Sequence, residues 1–85
     1  MASVTEMQAK VAQGIQDVEE AVNLVLQVQE KADEVIGLWA SVSDNEKLMD
    51  AINALGAGKE LLDQFISLAN LSTEHASTYI AGLAT

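Results

Sequence analysis

Apolar residues recur along the chain in steps that alternate four and three, beginning at Val4 and running through Val11, Ile15, Val18, Val22, Val25, Ala32 and Ile36 to Trp39. That spacing is the seam of an α-helix that packs on another helix, and it predicts one helix over 3–42. Within this seam Gln8 and Gln29 are polar, and they read as devices that fix register or partner choice. A second seam follows: Leu48, Ile52, Leu55, Lys59, Leu62, Ile66, Ala69, Thr73, Ala76, Ile80 and Leu83. It predicts a second helix over 46–83. Ser43-Asp44-Asn45-Glu46 has the form of a capping box and places the turn at 43–45. At about 1.5 Å rise per residue, each helix makes a rod near 60 Å long. The expected fold is all-α, an antiparallel two-helix hairpin forming a single domain over 1–85.

Two stretches test the continuity of the second helix. Gly56-Ala57-Gly58 costs on the order of 2 kcal/mol in a helix interior, yet the seam passes through it without a phase shift. The reading is a close helix contact or mild kink there, with a break as the alternative. At 70–73, Asn70-Leu71-Ser72-Thr73 offers side chains that compete for backbone hydrogen bonds, and a separate last segment is again the alternative to a continuous helix.

Beyond the seams, apolar residues spread onto one flank. In the first helix they are Met7, Gly14, Ala21, Val28, Val35 and Val42, with Leu24 and Leu38 beyond; in the second they are Ala51, Gly58, Phe65 and Tyr79, with Ala54, Leu61 and Leu68 beyond. Each apolar arc is roughly 160° wide, more than two helices hide from water by packing on each other. A second helical pair, completing a four-helix bundle, is the expected cover. The residues expected at that interface are Val28, Val35, Leu38, Trp39, Leu61, Phe65 and Leu68. Trp39 has two readings, a plug in the closed end of the hairpin or an anchor for a partner.

Composition narrows the function. The 85 residues include no Pro and no Cys, and carry 13 acidic residues against four lysines, a formal charge of −9. Such a chain repels phosphate backbones and anionic lipid, which argues against nucleic-acid partners and polybasic membrane binding. No segment has the run of apolar residues that a membrane span requires. The first ten residues lack the pattern of a secretory signal, so the expected location is cytoplasmic, or secreted without a cleaved signal peptide. Without Cys there is no thiolate chemistry or disulfide. His75 is the lone His, and the residue three before it is Ser72, so the Glu-x-x-His pattern of di-metal bundles is missing. Gly58-Lys59 ends no phosphate loop, because Asn53 stands where its first Gly belongs. Glu19, Glu20, Asp33 and Glu34 lie on the polar side as solvated charges. No nucleophile, base and orienting group assemble from these residues, and the chain reads as a non-enzyme without cofactor or metal.

A small acidic hairpin with Trp39-Ala40-Ser41 at the end of its first helix resembles the Trp-x-Gly family of small type VII (ESX) secretion substrates and partners, and related small actinobacterial hairpins. Ser41 stands where that family has Gly, and Leu71-Ser72-Thr73-Glu74-His75 looks like the C-terminal region of some members. Their Tyr-x-x-x-Asp/Glu export signal is absent, since Leu83 lies four residues after Tyr79. The resemblance implies the signal-less partner of a secreted heterodimer, or a helper bound to a helical domain of a larger effector; the partner expected from the residues is a homodimer or heterodimer mate that is itself a helical hairpin, or such a helical domain. The alternatives from the residues alone are a self-assembling structural subunit of an oligomer, phage particle or filament, and an acidic adaptor or inhibitor.

Overall fold

The computed structural model describes residues 3–42 and 45–83. It contains two helices, α1 (Val4–Ala40) and α2 (Glu46–Leu83), packed side by side as an antiparallel hairpin. The molecule measures 61 × 18 × 14 Å with a radius of gyration of 19.2 Å, against about 12 Å for a compact domain of this length. The length matches that expected from helical rise.

Helix α1 starts where Ser3, in extended backbone, accepts the Glu6 amide N–H on its hydroxyl at 3.1 Å. This satisfies one of the amides that an N-terminus leaves free. At the other end the helix closes two residues earlier than its seam predicts. Ser41 donates its backbone N–H to the Gly37 carbonyl and its hydroxyl to the Leu38 carbonyl, while the Val42 amide turns back to Trp39. These bonds occupy carbonyls that would otherwise face water unpaired. The cap of α2 is Asn45, whose side-chain oxygen accepts the amides of Lys47 and Leu48 at 2.9 and 3.2 Å. Ser43, the residue from which the capping box was read, lies outside the described residues, as does Asp44.

Helix α2 is continuous through both suspect stretches. At Gly56 and Gly58 the backbone is helical with no positive φ, and a methyl group at either Cα would meet nothing within 4 Å. The close contact expected at this triplet is therefore not what holds it; the helix runs on because seam residues on either side stay in phase. At 70–73 the Thr73 hydroxyl bonds the Asn70 carbonyl without displacing the helical ladder, as Thr does when it sits inside a helix.

Burial follows the two seams closely. From Gln8 to Ile36, and from Leu48 to Leu83, every seam position is half-buried or buried. The lowest exposures belong to small residues, Ala32 at 8% and Ala69 at 7%. Among the described residues no large side chain is fully enclosed. A two-helix layer has only one side per helix to offer, so it makes a seam rather than a core.

A polar layer interrupts that seam. The Gln29 side-chain amide donates to Asp63 at 2.7 Å and to the Lys59 carbonyl at 3.3 Å, and the Lys59 ammonium pairs with Asp33. This set ties α1 to α2 at one level and defines which residues lie opposite each other. Its energetic contribution is small, since Asp33 is mostly exposed and exposed pairs are worth about 0–1 kcal/mol. Its specificity is larger. A slide by one heptad would leave the Gln29 amide without these acceptors and place Lys59 among apolar side chains.

Candidate docking face

Lettering each seven-residue repeat a to g, with seam positions a and d, puts Gln29 and Lys59 at a. Asp33 and Asp63 are then e positions, and both are reached across the seam by the partner helix. In an antiparallel pair the two e flanks share one side of the hairpin and the two g flanks share the other. The wide apolar arcs of both helices occupy g and c. They therefore merge into a single broad face instead of pointing in different directions.

On that face Leu24, Val28, Leu61, Phe65 and Leu68 stand close to one level, about midway along the rods, because residue 29 lies opposite 59–63. Nearer the connection lie Val35 and Leu38 of α1 beside Ala51, Ala54 and Gly58 of α2. Leu38 is 66% exposed and Phe65 44%, and Val28, Leu61 and Leu68 are likewise exposed. Val35 is half-buried against the seam. The residues expected at an interface are thus gathered on one side, with one difference. Trp39 occupies the d position at the closed end of the seam, and with 37% of its surface exposed it covers that end only in part.

Charge is sorted as sharply as hydrophobicity. Among the described acids only Asp17 falls on the g and c positions. Glu19, Asp33 and Asp63 are on e; Glu30, Glu46, Glu60 and Glu74 on b; Glu6, Glu20, Glu34 and Asp50 on f. Three of the four lysines, Lys10, Lys31 and Lys47, border the apolar face at c, and His75 lies on the same line. Lys31 pairs with Glu34 at 3.2 Å along the helix, a contact open to solvent on both sides. The hairpin has one apolar face edged by lysine and one acidic face.

The concavities are shallow and open. One lies on α1 beside Leu24, Val28 and Lys31; the other is a groove between the helices where Gly14 and Ser72 are small, floored by Val11, Ile15, Val18, Thr73 and Ala76. Among the described residues no group of three His, Asp or Glu side chains converges on a metal-sized space. No helix of the described residues is long and apolar enough to cross a membrane.

No family model, curated protein or solved structure matches the chain. The periodicity already marked the g and c flanks as apolar, but the placement of both on one side depends on the antiparallel pairing. The segregation of acids onto e, b and f is carried by the same repeat.

Proposed function

We propose that this protein is a non-enzymatic protein–protein interaction module that works by helix-on-helix burial, contributing two helices to a four-helix bundle. The observation that carries this reading is the uncovered apolar face centred on Leu24, Val28, Leu61, Phe65 and Leu68. The chain exposes 6276 Å², whereas a compact protein of 9.0 kDa exposes about 4,850 Å². The elongated shape, 61 × 18 × 14 Å, accounts for the difference, and whatever apolar surface a partner covers supplies about 25 cal/mol per Å² toward association before ordering costs.

The type VII resemblance suggests a setting for such a module. In it the face receives the hairpin of a secretion partner or a helical domain of a larger effector, with Trp39 at the rim of the contact. The hairpin architecture and the position of Trp39 ahead of the connection support this setting; Ser41 in place of Gly departs from it.

The test is thermal melting of the full chain followed by circular dichroism from high to low concentration. The reading predicts a sharp transition when the face is covered and a shallow loss of helicity in the dilute chain, because a seam without an enclosed large side chain gives little cooperativity. A dilute monomer that melts sharply, at a temperature independent of concentration, would show that the hairpin is complete on its own and refute the proposal.

A further inference from the structure

We draw no further inference here: the strongest candidate, the apolar face around Leu24, Val28, Leu61, Phe65 and Leu68 together with the groove between the helices at Gly14 and Ser72, belongs to the site already described, and nothing in the structure shows what covers it.

Discussion

Replacing Gly56 by Ala is expected to stabilise the protein. Gly56 lies in the second turn-pair of a 38-residue helix, far from either end, and its backbone already has right-handed helical geometry. A methyl group there meets no atom within 4 Å, so nothing must move to admit it. The folded state gains no clash, and the unfolded chain loses the extra freedom of glycine, a difference of about 1 kcal/mol in a helix interior. For a domain of this length that corresponds to a rise in Tm of about 4–8 °C. With a urea dependence near 1 kcal/mol/M, the unfolding midpoint moves up by about 1 M. The assay is urea unfolding followed by helical circular dichroism, with wild type and variant at one chain concentration, because association shifts the midpoint by mass action. A Gly56→Ala variant that is less stable than wild type would refute the reasoning. It would mean that α2 bends at Gly56-Ala57-Gly58 in the form that functions, as one of the readings of the sequence held.

Other perturbations test other parts of the structure. Asn45→Ala removes the acceptor for two amides at the start of α2 and should cost about 1 kcal/mol in urea unfolding; no loss would mean that another group caps α2. Gln29→Ala deletes both bonds of the polar layer to α2 and should lower stability by about 1 kcal/mol, while Gln29→Leu should restore most of it by packing; equal losses in the two variants would show that the bonds and not the burial dominate. Ala32→Asp places a charge at one of the two most buried positions and should reduce helicity at 25 °C, by a cost of about 3 kcal/mol or more; an unchanged spectrum would show that the seam opens there.

How legible these features are in the sequence differs by kind. The seam of α2 is fully legible, because each of its positions from Leu48 to Leu83 is at least half-buried. The seam of α1 fails only at its ends. Val4 and Trp39 are exposed there, at 51% and 37%, because an end layer of a two-helix seam has neighbours on one side only. The cap at Ser3 has the same Ser-x-x-Glu form as Ser43 to Glu46, with Glu6 three residues on. The polar layer was half legible. Gln29 stands out among its apolar neighbours, whereas Lys59 carries no sign by itself of the helix it bonds. The signal that joins them is their equal distance from the connection, which in an antiparallel hairpin makes them opposite. The candidate face needed that pairing too, since periodicity assigns flanks to each helix separately.

The thin connection between Gln29 and Lys59 also shapes how the hairpin comes apart. Each layer of the seam touches only the layers above and below, so the molecule is close to one-dimensional and opens like a zipper fastened at one end. The termini, with Val4 exposed and Leu83 at the last turn, are the free end, and the chain entropy of the connection resists opening at the other. The bonds made by Gln29 and Lys59 sit on the fastened side of the midpoint, as a stop that a partly unzipped chain has to pass before its register is lost. Amide exchange should accordingly slow in steps from the termini toward residues 29 and 59, and Trp39 fluorescence should report the last stage of opening while Tyr79 reports the first.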